Sequence, residues 1–108
     1  MKTRNIQTVI DSDLVANVVP EAQGFGELQV RCLSKGDKFI RYIVVDSAEV
    51  EQKPFAVRIL AEAQFNNQRE KFSFSAPELS IAMASRVKDT ILTHLPVLNQ
   101  QHCHRLMA

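Results

Sequence analysis

The chain has 108 residues, near the commonest size of a single domain, and its 45% apolar and 23% charged residues are typical of a globular protein. Its 13 basic and 12 acidic residues almost cancel, so net charge gives no reason to expect nucleic acid, a membrane or an acidic partner. No apolar run approaches the roughly 18 residues of a membrane span, and the first residues lack a signal-peptide pattern. We therefore expect a cytoplasmic protein without membrane contact, with one domain over residues 1–99 and a flexible tail over residues 100–108.

The first 20 residues allow two interpretations. A helix capped by Asn5 fits apolar residues that recur at intervals of three and four: Ile6, Val9, Ile10, Leu14 and Val18. The alternative is an edge strand over residues 7–11, followed by a short helix that Ser12 caps. In either case residues 11–13 are a predicted break, because Asp and Ser side chains compete for backbone hydrogen bonds.

Alternation predicts two strands after a loop at residues 21–26. In the first, Leu28, Val30 and Cys32 share one face. A turn at residues 34–37, with Gly36 free to take a positive φ, leads to a strand over residues 38–46. That strand is apolar on both faces, which is typical of a central strand or one covered on both sides.

A charged connection over residues 47–53 leads to the clearest pattern in the chain. The alternation over residues 55–65 predicts one strand with six inward side chains: Phe55, Val57, Ile59, Ala61, Ala63 and Phe65. Asn66 and Asn67 predict a hairpin turn, since asparagine tolerates the left-handed conformation. The return strand sets Phe72 and Phe74 inward.

A helix is predicted over residues 76–94. Ser75 and Glu78 form a capping box, and Pro77 lies in the first turn, where a missing amide proton costs nothing. Pro96 ends the helix by disfavouring helical geometry at the residue before it. The fold class is therefore α+β: an antiparallel meander sheet of four to five strands packed against a C-terminal amphipathic helix, with an N-terminal helix or edge strand.

The apolar side chains of this helix sweep an arc wider than one sheet face needs. The N-terminal segment, the tail or a second copy of the chain would cover the surplus. If a second copy covers it, as a homodimer, the contact residues are Ile81, Ala84, Lys88 and Leu92.

No catalytic, cofactor or metal site is predicted. The candidate metal ligands are His94, His102, Cys103 and His104, but adjacent side chains diverge and do not meet one ion easily. Cys32 occupies an apolar strand position and is expected to remain a free, buried thiol. No serine lies in a nucleophile elbow, and the three glycines of the chain form no phosphate-binding loop.

Nucleic acid is the one ligand class with some support from the strands. Four basic residues are predicted to share the sheet face opposite the helix: Arg31, Arg58, Arg69 and Lys71. Glu27 and Glu62 are predicted on the same face, and the phenylalanines point inward, so stacking aromatics are missing. In its order of elements alone, four strands and then a helix over residues 27–95, the chain resembles single-stranded-DNA-binding coactivator and Whirly domains. That resemblance implies dimerisation through such helices, and no site residue is carried over from it.

The sequence thus favours a small, non-catalytic binding or regulatory module that self-associates, with a protein partner that the residues do not identify. The alternative is a single-stranded nucleic-acid-binding protein that uses the basic sheet face.

Overall fold

The structure, a computed structural model, describes residues 3–19, 27–35, 38–52 and 55–95. The elements follow in the order β1 (Thr3–Asn5), α1 (Ile6–Asp11), β2 (Asp13–Val18), β3 (Leu28–Lys35), β4 (Phe39–Asp46), α2 (Ser47–Gln52), β5 (Ala56–Arg58), β6 (Ala61–Asn66), β7 (Lys71–Ser75) and α3 (Ile81–His94). The predicted turn residue Gly36 and the predicted tail over residues 100–108 lie outside the described residues.

Five strands form one antiparallel sheet in the order β2-β3-β4-β6-β7, which confirms the predicted α+β class. Helix α3 covers one face of this sheet, which we call the inner face. The core between them is built from alternate residues of the strands and one side of the helix: Leu28, Val30, Cys32, Ile40, Tyr42, Val44, Ala63, Phe65, Met83, Val87, Ile91 and Leu92. Phe72 and Phe74 pack against its margin.

A second, smaller core lies on the opposite face, which we call the outer face. Strands β1 and β5 pair as a separate two-stranded sheet, and β1 runs directly into α1. The buried members of this core are Val9, Ile43, Val45, Val57 and Ile59. Strand β4 contributes to both cores, which accounts for its two apolar faces and its central place in the sheet.

The predicted single strand over residues 55–65 is wrong. The chain leaves β5 at Arg58 and enters β6 at Ala61, and the alternation changes phase between them. Ile59 belongs to the outer core, whereas Leu60 and Ala61 both belong to the inner core. The amide of Leu60 donates to the carbonyl of Val44 over 2.9 Å, which holds this step in place. Phe55, predicted inward, is 80% exposed.

The predicted start of the C-terminal helix is also wrong. Ser75 is the last residue of β7, where it pairs with Glu62, and it does not cap a helix. The chain then makes a turn closed by the amide of Leu79 donating to the carbonyl of Ala76 over 3.2 Å. Ser80 is the N-cap: its hydroxyl accepts from the amide of Met83 over 3.2 Å. The predicted C-terminal end at residue 94 is confirmed.

In the N-terminal segment the first turns of the helical interpretation are confirmed, whereas the alternative, a strand over residues 7–11 followed by a short helix, is wrong. Asn5 caps helix α1, accepting from the amide of Gln7 over 2.8 Å, and the helix ends at Asp11 as the predicted break requires. The residues that follow form strand β2 and not a helix. Residues 47–52, predicted as a connection, form α2, where Asp46 accepts from the amide of Ala48 over 2.9 Å.

The hairpin turn between β6 and β7 is confirmed, although its left-handed residue differs. Asn66 accepts from the amides of Gln68 and Arg69 over 3.0 and 3.2 Å, so its side chain stabilises the turn. The positive φ of 53° falls on Glu70 and not on an asparagine.

The position of the cap gives a direct test of the helix start. We expect Ser80→Ala to lower the free energy of unfolding by about 1 kcal/mol, because the amide of Met83 loses its acceptor. Ser75→Ala is the matched control and should change stability by less than about 0.5 kcal/mol, as at an ordinary surface position. Urea denaturation followed by circular dichroism measures both. A larger loss for Ser75→Ala would place the cap where the sequence predicted it.

Candidate functional site

A groove opens on the outer face where the second core stops. Along β4 the outward side chains change from exposed Arg41 to buried Ile43 and Val45. The step between the bare and the covered part of the sheet forms an open groove of about 360 Å³. It is lined by residues of β1, β4, β6 and β7: Arg4, Arg41, Glu62, Ala63, Gln64, Ser73, Phe74 and Ser75.

The floor of the groove is a row of polar side chains that runs across three strands. The register pairs Arg41 with Gln64 and Gln64 with Ser73, so the three lie side by side on the outer face. The Arg41 guanidinium carbon lies 5.5 Å from the centroid of the Phe39 ring. This stacking holds the guanidinium plane against an apolar surface while its N–H groups stay free to donate.

Two guanidinium groups from different layers line the same groove. Arg4 is carried by β1, which pairs with β5, and Arg41 is carried by the main sheet. Within the described part of the chain neither arginine forms a salt bridge. One carboxylate, that of Glu62, also lines the groove. Two fixed positive groups against one negative group favour an anion in this concavity.

Further basic residues gather at the hairpin end of the sheet, beside Arg41. The amide of Asn67 donates to the carbonyl of Lys38 over 2.8 Å, which brings the start of β4 against the β6–β7 turn. Arg69 lies in that turn and Lys71 begins β7. We call these four residues the basic corner: Lys38, Arg41, Arg69 and Lys71.

Acidic residues collect at the far end of the same sheet. Strand β3 begins and strand β4 ends there, with Leu28 paired to Asp46, and helix α2 follows. The acids at this end are Glu27, Asp46, Glu49 and Glu51. The net charge of +1 therefore hides an uneven charge distribution along the strands, although Glu70 lies between Arg69 and Lys71 and Arg58 pairs with Glu49 at the acidic end.

The structure brings together two of the four basic residues predicted as a nucleic-acid face. Arg69 and Lys71 lie in the basic corner. Arg31 instead donates to the carbonyls of Val9 and Ser12 over 3.1 and 3.0 Å and so ties the end of α1 to β3. Burial also lowers the pKa of Arg31 from its usual value.

Arg58 lies apart from the groove, on β5 in the small sheet. Its guanidinium forms a salt bridge with Glu49 of α2 at 3.1 Å. A group that is already paired and hydrogen-bonded within its own layer is less available to a ligand than Arg4 or Arg41.

Sequence reasoning did not select the two arginines of the groove. Arg41 has the same parity as Phe39, Ile43 and Val45, so its position on the outer face was readable from the strand period. Arg4 gave no such signal. Its place beside the groove depends on the pairing of β1 with β5, more than 50 residues along the chain.

The four residues predicted for self-association differ in what they expose. Ile81 is 91% exposed, Lys88 is exposed and Ala84 is half-buried. Leu92, with 6% of its surface exposed, packs in the inner core of the monomer. Part of the apolar surface of α3 that was predicted to need a further cover is thus covered by the sheet of the same chain. Association through this helix stays a prediction.

The candidate metal ligands are not brought together in the described part of the chain. No group of three His, Cys, Asp or Glu residues there is placed to hold an ion. His94 lies in the last turn of α3, where its Nδ1 is 2.8 Å from the carbonyl of Thr90. Cys32 is buried and forms no disulfide within the described residues. His102, Cys103 and His104 lie outside the described residues.

No helix among the described residues is long and apolar enough to cross a membrane. Comparison with protein-family models, with curated proteins and with solved structures finds no match to this chain. The groove and the basic corner are therefore the features of the molecule that point to a function.

Proposed function

We propose that the chain is a non-catalytic binding module whose groove takes an anionic ligand, one that carries phosphate or carboxylate groups. The observation that carries this proposal is the convergence of Arg4 and Arg41 on one concavity from two separate layers. Guanidinium groups match both anions because their N–H donors form a planar fork. The volume of the groove suits a small ligand or one charged segment of a larger one.

The other lining groups support holding an anion more than transforming it. Gln64 adds a neutral amide donor beside the Arg41 guanidinium, and Ser73 lies next to it in the same row. The Ser73 hydroxyl donates to the backbone carbonyl of Gln64 over 3.4 Å, so no side-chain base activates it. The lining contains neither histidine nor cysteine, the side chains that most often move protons or attack substrates near neutral pH.

Replacing one groove arginine should weaken anion binding strongly. We expect Arg41→Gln, and separately Arg4→Gln, to raise the dissociation constant roughly tenfold, since a hydrogen bond to a charged group contributes about 1.5 kcal/mol. The probes are pyrophosphate and citrate, titrated at low ionic strength while amide NMR shifts of Gln64 and Ser73 are followed. Saturation by only one probe would assign the ligand as a phosphate or a carboxylate.

Lys88→Gln is the matched control, because it removes one positive charge from the opposite side of the sheet. It should leave both titrations almost unchanged. Amide shifts that spread evenly over the surface, or an equal loss of affinity in Lys88→Gln, would show that the attraction is general and that the groove is not a site.

Single-stranded nucleic acid is the second candidate, and the basic corner is the observation that favours it. Lys38, Arg69 and Lys71 extend the positive surface beyond the groove, as a phosphate backbone requires. Fluorescence anisotropy with a labelled oligonucleotide at several salt concentrations tests it. Arg69→Gln and Lys71→Gln should each reduce the slope of log affinity against log salt by about one. An oligonucleotide that does not bind at low salt contradicts this candidate and leaves the groove proposal in place.

A further inference from the structure

Strand β7 is an edge strand of the main sheet as the described residues form it. It pairs through all five residues with β6 in an unbroken register, and no described residue pairs with its other side. The opposite edge strand, β2, carries a register shift between Leu14 and Ala16. Such a bulge twists an edge and disfavours further pairing, whereas a regular edge presents a row of backbone donors and acceptors.

The sequence of β7 is complementary to itself. If two copies pair antiparallel about Ser73, Phe72 of one lies opposite Phe74 of the other, and Lys71 lies opposite Ser75. Both phenylalanines are half-buried at the margin of the inner core, so pairing covers their remaining surface. In this register the two Lys71 residues are offset by four residues, about 14 Å along the strands. At that distance their repulsion is largely screened in about 0.1 M salt.

We propose that the chain forms a homodimer by antiparallel pairing of β7 with the β7 of a second copy, which joins two main sheets into one of ten strands. The occupant is a second copy because the alternation of the strand places lysine against serine and phenylalanine against phenylalanine without any clash of like charges.

The same pairing completes the groove. Ser75 lines the groove, and the partner's Lys71 would lie directly opposite it on the outer face. Each groove then gains a third positive group beside Arg4 and Arg41. This last step rests on the proposed function, whereas the pairing itself does not.

Two opposite substitutions at Ser75 test the pairing. Ser75→Lys places lysine against the partner's Lys71 twice in the dimer and should raise the dissociation constant of the dimer roughly two- to thirtyfold. Ser75→Glu should lower it by a similar factor. Sedimentation velocity over a range of protein concentrations, with no added anion, measures both.

The signs separate association from folding. Within one chain Ser75 pairs with Glu62, so Ser75→Lys brings opposite charges together in the monomer, and Ser75→Glu brings like charges together. A purely structural effect would therefore favour the lysine variant, the reverse of the expected order of dimerisation. Equal dissociation constants for the two variants, or tighter association of Ser75→Lys, overturn the proposal.

Cysteine cross-linking locates the two-fold axis independently of charge. In a Cys103→Ser background, Ser73→Cys should form a covalent dimer on mild oxidation, because opposed residues of paired strands lie within disulfide reach. Ser85→Cys, exposed on α3, is the control and should not cross-link. A Ser85 cross-link without a Ser73 cross-link would place the interface on the helix, and a monomer at every concentration would remove the dimer. Either result leaves anion binding by Arg4 and Arg41 to be judged by its own titration.

Discussion

Replacing Phe65 by alanine should lower the free energy of unfolding by about 3–5 kcal/mol, a large share of what holds a domain of this size folded. Phe65 has no exposed surface and is, with Tyr42, one of the two largest fully buried side chains among the residues that the structure describes, so truncation leaves a cavity in the inner core. Urea denaturation followed by far-ultraviolet circular dichroism gives the value directly, provided that the slope against denaturant is unchanged.

Phe55→Ala is the informative partner of this variant. The two phenylalanines share one parity in the sequence, yet Phe55 is 80% exposed. Its removal should change stability by no more than about 0.5 kcal/mol, as at most surface sites. Comparable losses for Phe55→Ala and Phe65→Ala would show one continuous strand with six inward residues, and the separation into β5 and β6 would be incorrect.

The difference between these residues shows why alternation located the strands but not the two cores. The two-residue period of a strand shows which residues share a face, but it does not show which layer packs on that face. Val57 and Ile59 are buried as predicted, but they are buried in the outer core. The break between β5 and β6 at Leu60 is not marked by a polar residue. The apolar residues before it are buried in the outer core and those after it in the inner core, so the sequence pattern continues without interruption.

Helix ends were predicted less well than strand faces for a local reason. Two serines, Ser75 and Ser80, precede the helix, and either side chain can cap one. Ser75 does not cap the helix because it is the last residue of β7, where it pairs with Glu62 of β6. That contact joins two strands and cannot be read from the residues around Ser75. Asn5 had no such competitor, and its predicted cap is confirmed.

The candidate site was within reach of the sequence only in part. Strand parity and the hairpin turn were sufficient to bring Arg41 and Lys71 near one end of one face. Arg4 lies at the site because β1 pairs with β5, half of the chain away. Arg58, which was predicted for the basic face, is not at the site because it belongs to the small two-stranded sheet. The nearly balanced counts of acidic and basic residues did not predict the basic corner, because net charge contains no information about where the charges lie along the strands.

The absorbance change of Tyr42 in an alkaline titration reports on the inner core, because the chain has one tyrosine and no tryptophan. Its side chain is 2% exposed, and its strand position is paired with that of Cys32. Burial, and to a lesser degree the nearby Cys32, raises the pKa of Tyr42 to about 12 from an ordinary value of 10.0. The tyrosinate absorbance should therefore stay low until well above pH 10 in the folded protein.

The same shift predicts how stability falls in base. Between pH 10 and 12 the unfolded chain loses the phenolic proton that the folded chain keeps, so folding loses about 1.4 kcal/mol per pH unit and nearly 3 kcal/mol in all. This contribution is fully present below pH 10. Tyr42→Phe cannot ionise, so the difference in unfolding free energy between variant and parent should shift in favour of the variant by that amount across the interval. Tyrosinate that forms with a midpoint near pH 10 while the far-ultraviolet spectrum stays native would mean that Tyr42 is in contact with water, and the packing of α3 on β4 would have to be wrong.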